Sequence, residues 1–187
     1  MIAIFVIGFN SIGSKKSPIP FVPYGENTDL NPQFIFAHAG FNMRNNELGA
    51  ILGIEQLKRL DENNEIRSNN QARFLKGINS EHFRVDFFTK GSSNYAFNLI
   101  LKRPDKSLMQ NLKNILDVEG VEFRQGSAGG GNMTRQPFLQ KLLGADAWRQ
   151  FPETEHVHHF GMYIGNFPQL ELSEVDQIVE IVNSAAK

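Results

Sequence analysis

Hydrophobic residues recur at three- and four-residue steps after Asn46, and this period predicts a helix with one buried face. The apolar positions are Leu48, Ile51, Leu52, Leu57 and Leu60. Asn45 or Asn46 can cap the helix start, and Glu47 lies in its first turn, where the helix dipole favours an anion. The polar run that follows, DENNEIRSNNQAR, contains Ile66, Phe74 and Leu75 and extends the predicted helix to about residue 76. Its length would be about 45 Å.

After Gly77 the apolar period changes to two, which indicates strands. FRVDFFTK (83–90) and YAFNLILKR (95–103) predict a strand pair or one bulged strand. Further strands are predicted at VEFR (121–124) and HHFGMYIGNF (158–167), and helices at 106–118, 137–148 and from Ser173, which we expect to cap the last one. Gly120 suits the end of the first of these helices, and Pro137 the start of the second. This order predicts the α+β or α/β class, a small sheet with helices packed on one face.

The first 33 residues do not continue this pattern. Residues 1–10 are apolar but too short for a membrane helix and lack a basic n-region, so we expect a buried strand and a cytoplasmic protein. Residues 11–33 hold four of the eight prolines and predict an irregular connection. We therefore divide the chain into an extended segment (1–33), a linking segment with the long helix (34–76) and a small α+β domain (77–187).

Composition excludes several function classes. The 187-residue chain is 41% hydrophobic, enough for a packed core, and its net charge of −1 provides no basic surface for nucleic acid or lipid. It has no cysteine, which removes disulfides, thiol nucleophiles and cysteine zinc sites.

The stretch GSAGGGNMTRQP (126–137) places three glycines and then Asn132, Thr134 and Arg135 between a predicted strand and a predicted helix. Backbone amides without side chains at a helix N-terminus form an anion site, and Arg124 and Arg135 flank this one. The spacing matches neither a Walker loop nor GxGxxG. A flexible turn with solvated arginines remains the alternative.

Two further stretches carry polar side chains. HAGFNMRNN (38–46) places Asn42 and Arg44 just before the long helix, either as ligand groups or as a turn residue and a surface charge. HVHH (156–159), taken as a strand, places His156 and His158 on one face, as two metal ligands would lie. Glu153 and Glu155 are near, but no residue at ligand spacing completes the set, so we predict no metal site and favour histidines that line a pocket or pair with a neighbour.

Three stretches in order resemble one family. GFNMRNNELGAILGIEQLKRLDENNEIR, EFRQGSAGGGNMTRQPFL and HHFGMYIGNFPQL are similar to the C-terminal part of the DegT/DnrJ/StrS-type sugar aminotransferases, especially their nucleotide-sugar 3-dehydratase branch. The resemblance covers about residues 34–182. It implies a homodimeric fold-type I pyridoxal-phosphate enzyme that acts on nucleotide-linked 4-keto-6-deoxy sugars.

The resemblance also implies roles for single residues. Asn42, which in the family reaches across the dimer to the cofactor phosphate, and its neighbour Arg44 would contact the cofactor. Residues near the sugar-nucleotide pocket would be Arg124, Asn132, Arg135, His159 and Asn166.

The chain departs from the family at the cofactor. The family holds pyridoxal phosphate in a large N-terminal domain, through a lysine or histidine followed by a Gly-Glu-Gly-Gly stretch. Lys15 and Lys16 are followed by prolines instead, and residues 1–33 are too few for that domain. We therefore expect the C-terminal segment of such an enzyme, without catalytic residues of its own. The alternatives are an α+β module that binds a phosphorylated ligand through the glycine loop, and a metal-binding protein.

Overall fold

The computed structural model of the chain describes residue 30, residues 46–128 and residues 131–186. These residues form two compact units. The first, called the sheet unit here, comprises the described residues 46–125 and 160–186. The second, called the loop unit, comprises residue 30 and the described residues 126–128 and 131–159. The predicted division at residues 33 and 76 stays a prediction.

Two helices begin the sheet unit, where the apolar period predicted one. Helix α1 spans Glu47–Leu57 and helix α2 spans Leu60–Gly77. Asn46 caps α1 as expected, since its Oδ1 accepts a hydrogen bond from the Gly49 amide (2.8 Å). The chain turns at residues 58 and 59, so the predicted continuous helix is wrong in its middle.

The predicted burial of the α1 stripe is also wrong within this chain. Its large apolar side chains are between 60% and 73% exposed: Leu48, Ile51, Leu52, Ile54 and Leu57. The helix forms as the apolar period predicts, but burial of its apolar side chains requires a partner surface. Helix α2 differs, because Asn70, Gln71 and Phe74 are buried although most of the helix is polar.

A three-stranded antiparallel sheet forms the centre of the sheet unit, which confirms the α+β class. The strands are β1 (Ala96–Ile100), β2 (Phe123–Gln125) and β3 (Gly161–Gly165), in the spatial order β1-β3-β2. Two expectations fail. In the run 83–90 only Phe83 pairs, through an isolated bridge to Leu101. The last predicted strand begins at Gly161 rather than at residue 158.

Helices α3 (Lys106–Val118) and α6 (Leu172–Ser184) complete the sheet unit. Asp105 caps α3 through its Oδ1, which accepts from the Leu108 amide (2.9 Å), and Gly120 follows with a φ of +69°, as predicted. Ser173 does not cap α6, because Glu171 and Glu174 close that end with a reciprocal capping box. The shared core draws buried side chains from α2, β1, α3, β3 and α6, among them Phe74, Phe97, Leu112, Ile164 and Val179.

The loop unit consists of short elements that follow β2. In chain order they are two 3₁₀ turns (Gly126–Ala128 and Met133–Arg135), helix α4 (Pro137–Leu143), a third 3₁₀ turn (Ala147–Gln150) and helix α5 (Pro152–Phe160). Pro137 opens α4 as predicted. The predicted extension to Trp148 is wrong, because Gly144 ends the helix at a φ of +95°. Among the described residues, no helix is long and apolar enough to cross a membrane.

Candidate functional site

The end of the glycine loop is organised by the side chain of Asn132, which is only 2% exposed. Its Oδ1 accepts hydrogen bonds from the Thr134 amide (3.1 Å) and the Thr134 hydroxyl (2.6 Å). Its own backbone N–H donates to Nδ1 of His158 (3.1 Å). The stretch before α4 is therefore a closed local turn, and these backbone amides already have acceptors.

Gly131 is required by a close approach at this turn. A Cβ atom built at this position would lie 2.3 Å from Nδ1 of His158 and 2.5 Å from the carbonyl carbon of Gly126. Both distances are far shorter than any van der Waals contact. The glycine at position 131 therefore allows the loop to pack against α5.

The carboxylate of Glu155 on α5 accepts hydrogen bonds from polar side chains of the loop unit. Arg135 donates to it through Nε (2.9 Å to Oε2) and through Nη2 to Oε1, a bidentate ion pair. Asn132 donates its Nδ2 to Oε2 (3.0 Å), and His159 donates its Nε2 to Oε1 (2.9 Å). Three of the predicted substrate residues thus meet at one carboxylate, and we call these four residues the Glu155 cluster.

Trp148 packs beside the cluster. The Cζ atom of Arg135 lies 4.2 Å from the centroid of its indole ring, and the Cζ atom of Arg149 lies at 4.5 Å. Both distances are within the range of a cation–π contact. Because Glu155 and Trp148 hold the guanidinium from two directions, Arg135 is preorganised rather than a solvated charge.

The electrostatics of Glu155 follow from these contacts. Burial raises the pKa of its carboxyl, but hydrogen bonds from Arg135 and Asn132, the charge of Arg135 and the hydrogen bond from His159 together lower that pKa to about 2. Glu155 is therefore ionised at neutral pH. Its side chain is 18% exposed and that of Arg135 is 11% exposed, so the ion pair is largely shielded from solvent.

Two other predicted residues belong to the sheet unit. Arg124 lies on β2, has a half-exposed side chain, and pairs with Glu122 (3.2 Å). Asn166 is 1% exposed and follows β3. Its Nδ2 donates to the backbone carbonyls of Arg67 (3.0 Å) and Asn94 (2.8 Å), so its amide joins three segments of this unit. Asn42 and Arg44 lie outside the described residues.

The histidine stretch is helical, which corrects the geometry expected for HVHH. His156, His158 and His159 all lie on α5, so a helical rather than an alternating period relates them. In the described part of the chain, no group of three or more histidine, aspartate or glutamate side chains is placed to hold a metal ion. His158 is buried against the loop instead, at 3% exposure.

Sequence reasoning considered Glu155 only as a possible metal ligand and missed Trp148. A helical assignment of 152–160 would have placed Glu155 and His159 four residues apart on one face, a spacing that allows contact. The pairing of Glu155 with Arg135 spans 20 residues, and no local pattern indicates it.

A model of the DegT/DnrJ/EryC1/StrS aminotransferase family matches residues 20–183. The chain belongs to this family. It is 31% identical over 181 residues to GDP-4-keto-6-deoxy-D-mannose 3-dehydratase of Yersinia pseudotuberculosis. This alignment covers 96% of the chain and 42% of that relative. It is 28% identical to the enzyme of the same name from Escherichia coli O55:H7, over 80% of the chain and 38% of the relative.

Solved structures share the fold of this chain. A GDP-4-keto-6-deoxymannose-3-dehydratase with a trapped PLP-glutamate geminal diamine superimposes with a TM-score of 0.64 at 26% identity. The match covers 81% of this chain and 39% of that one. The chain thus spans about two fifths of the length of these relatives, and it has the fold of part of a fold-type I pyridoxal-phosphate enzyme.

The family implies pyridoxal phosphate as the cofactor, but the Glu155 cluster does not offer a site for its phosphate. The donors of the Glu155 cluster already bind a carboxylate, which would repel the phosphate ester of the cofactor. Asn42 and Arg44, which the family resemblance assigns to the cofactor, are not among the described residues.

Proposed function

We propose that this chain is the C-terminal segment of a pyridoxal-phosphate-dependent sugar aminotransferase or 3-dehydratase that acts on nucleotide-linked 4-keto-6-deoxyhexoses. The observation that carries the proposal is the Glu155 cluster. The family resemblance assigns Asn132, Arg135 and His159 to the sugar-nucleotide pocket, and the three side chains contact one carboxylate.

In this proposal the chain contributes substrate recognition and not the chemical step. The cofactor would supply that chemistry when bound to a large domain, and the chain covers only 42% of its Yersinia relative. Residues 1–33 would be a remnant of the large domain or a leader, residues 34–76 the link, and residues 77–187 the small domain. Alone, the chain would be inactive.

The proposal extends to assembly. The apolar side chains of α1 are 60% or more exposed, a surface that soluble monomers rarely present in one patch. Such a helix is compatible with the homodimer that the resemblance implies. With this function we also propose a cytoplasmic location, where nucleotide-sugar substrates are available to soluble enzymes.

Within this proposal, Arg124 and Asn166 form part of the wall of the sugar-nucleotide pocket, and Asn42 and Arg44 contact the cofactor of the complete enzyme. Arg124 supports such a role best, because its side chain is 48% exposed. The contacts of Asn166 with backbone carbonyls give it a structural role in addition.

Ligand titration tests the recognition role. We expect a GDP-hexose such as GDP-mannose to bind the wild-type chain, and Arg135→Ala to weaken that binding about tenfold, because one charge-assisted contact contributes about 1.5–3 kcal/mol. Arg149→Ala is the matched control: Arg149 also stacks on Trp148, but its side chain is 66% exposed. Equal affinity of wild type and Arg135→Ala in calorimetry would remove the loop from the proposal.

Cofactor addition tests the division of labour. The wild-type chain mixed with pyridoxal phosphate should give no borohydride-trappable adduct at stoichiometric yield. Co-expression with the N-terminal part of the Yersinia relative should yield a complex that retains pyridoxal phosphate through purification. A strong trappable band on this chain alone would overturn the proposal that a separate domain binds the cofactor.

A further inference from the structure

A groove in the sheet unit is lined by none of the residues of the Glu155 cluster. It lies between helix α6 and the adjoining ends of β2 and β3, and residues of three stretches line it: 119–124, 163–170 and 174–181. Its volume is about 550 Å³. Ligand pockets commonly have volumes of about 300–1,000 Å³, so this one, which we call the α6 groove, has room for a ligand.

The floor of the α6 groove is apolar. Ile164 and Leu170 are buried members of the hydrophobic core. Val121, Ile178 and Ile181 pack against that core and are half-buried, so part of their apolar surface stays open. Covering such surface with an apolar ligand is favourable, and a floor that belongs to the core needs no rearrangement first.

Helix α6 forms one wall of the groove. Its lining residues are spaced by three and four positions and therefore share one side of the helix: Glu174, Gln177, Ile178 and Ile181. The span from the first to the last corresponds to about 10 Å of helix. Because an extended polypeptide advances about 3.3 Å per residue, the wall matches the length of about three residues of a bound segment.

The groove carries an excess of negative charge. Three of its lining residues are carboxylates, Glu119, Glu122 and Glu174, and one is a cation, Arg124. Arg124 pairs with Glu122 (3.2 Å), so its charge is already compensated. Helix α6 itself contains three acidic residues and neither lysine nor arginine. The groove therefore attracts a cation and repels a phosphate or diphosphate.

We propose that the α6 groove binds a short segment of a partner protein in which lysine or arginine flanks apolar residues. The apolar side chains lie on the floor, and the basic side chains pair with Glu119 and Glu122. Both carboxylates are exposed, so these pairs orient the segment more than they add to its affinity. Phe167, which is 48% exposed, adds an aromatic ring that a cation can contact.

The distribution of the charged groups favours a polypeptide over a small molecule. The three carboxylates come from three elements: Glu119 follows α3, Glu122 precedes β2, and Glu174 lies in the first turn of α6. A single small cation pairs with one of them, whereas a segment with two basic side chains reaches more than one.

Three tetrapeptides, acetylated and amidated at their ends, separate the apolar from the charged contribution. Lys-Leu-Leu-Lys provides both, Glu-Leu-Leu-Glu only the apolar residues, and Lys-Gly-Gly-Lys only the positive charge. Each is titrated into the isotope-labelled wild-type chain at about 0.15 M salt, where distant charges are screened. We expect Lys-Leu-Leu-Lys to shift amide resonances within 119–124 and 163–181 saturably, and to bind at least tenfold more tightly than the other two.

The double variant Glu119→Gln/Glu122→Gln tests the carboxylates at exposed positions. It should bind Lys-Leu-Leu-Lys about fivefold more weakly than wild type, because each exposed carboxylate contributes modestly and the uncompensated Arg124 then repels lysine. Glu62→Gln/Glu65→Gln is the matched control. It makes the same charge change at exposed positions of α2 that do not line the groove, and it should leave the affinity unchanged.

Gln177→Lys provides a second test that does not depend on the fold of the double variant. Gln177 is exposed on α6, and lysine suits a helix as well as glutamine does. The new cation lies in the groove itself, so it should weaken binding of Lys-Leu-Leu-Lys by a similar factor. Arg124 is kept in every variant, because the proposed function assigns it to the sugar-nucleotide pocket.

Several results would overturn the proposal. They are the absence of a saturable shift with Lys-Leu-Leu-Lys, equal binding of Glu-Leu-Leu-Glu, and undiminished binding by the groove variants. Displacement of the peptide by GDP would make the groove part of the sugar-nucleotide pocket instead. Hexylamine that binds as tightly as the peptide would show a site for a small amine, and peptide binding that is lost as the concentration of the chain rises would show that a second copy covers the groove.

Discussion

Glu155→Gln tests how the Glu155 cluster contributes to stability. Burial raises the pKa of the Glu155 carboxyl, but Arg135, Asn132 and His159 outweigh burial and lower it from the ordinary value of 4.5 to about 2. Because the pKa in the folded state lies below that in the unfolded state, ionised Glu155 stabilises the fold above about pH 5. That stabilisation is lost as the pH falls from about 5 towards 2.

The magnitude follows from the size of the pKa change. At about 1.4 kcal/mol per pH unit, a fall from 4.5 to about 2 corresponds to roughly 3 kcal/mol in full. Between pH 6 and pH 3, the wild-type chain should lose roughly 2 kcal/mol of the free energy of unfolding through this group. Glu155→Gln has no carboxyl to titrate and should lack this part of the pH dependence.

Trp148 provides the assay, because it is the only tryptophan of the chain and stacks on Arg135. Urea unfolding followed by its fluorescence, at several pH values from 6 to 3, measures the stability of the loop unit. Glu153→Gln is the control and should retain the wild-type pH dependence. If Glu155→Gln loses as much stability between pH 6 and pH 3 as wild type, the assignment of the pH dependence to Glu155 is wrong.

Three further predictions concern other parts of the chain. Gly131→Ala should lower the urea midpoint of the Trp148 signal, because its Cβ would overlap His158; an unchanged midpoint would contradict the close approach. Asn166→Asp should destabilise the sheet unit by about 3 kcal/mol at pH 7, since a carboxylate would face two carbonyl oxygens. The pKa of this new carboxyl should be raised, so circular dichroism should detect recovered stability at low pH, and a loss independent of pH would count against this reason. Ile51→Glu should reduce the self-association expected from the exposed apolar face of α1, and a monomeric wild type in size-exclusion chromatography would refute that expectation.

Local signals located most elements of the sheet unit. Asp105 accepts from the Leu108 amide and begins α3 where the apolar period starts, and Gly120 follows the same helix with a positive φ. These features depend on residues within one or two turns, so the sequence contains the whole cause. Local signals failed where two structures suit one pattern, as at HVHH, which is helical although its alternation suits a strand.

Three separated motifs in order indicated the family from sequence alone, and the family model that matches residues 20–183 confirms it. The sequence named Asn132, Arg135 and His159 as site residues, but it did not indicate what they share. Only the tertiary structure joins them at Glu155, since α5 carries that carboxylate back to a loop 20 residues earlier.

Burial was likewise decided by tertiary structure. Helix α1 is rich in apolar residues, yet its large apolar side chains are exposed, whereas Leu112 and Leu116 on the apolar face of α3 are fully buried. A period creates an apolar face through local geometry, whereas burial requires a second surface to cover it. The same reason explains the charge of the loop: two arginines near a glycine run indicate an anion site in sequence, and one buried carboxylate from a distant helix cancels the charge of Arg135.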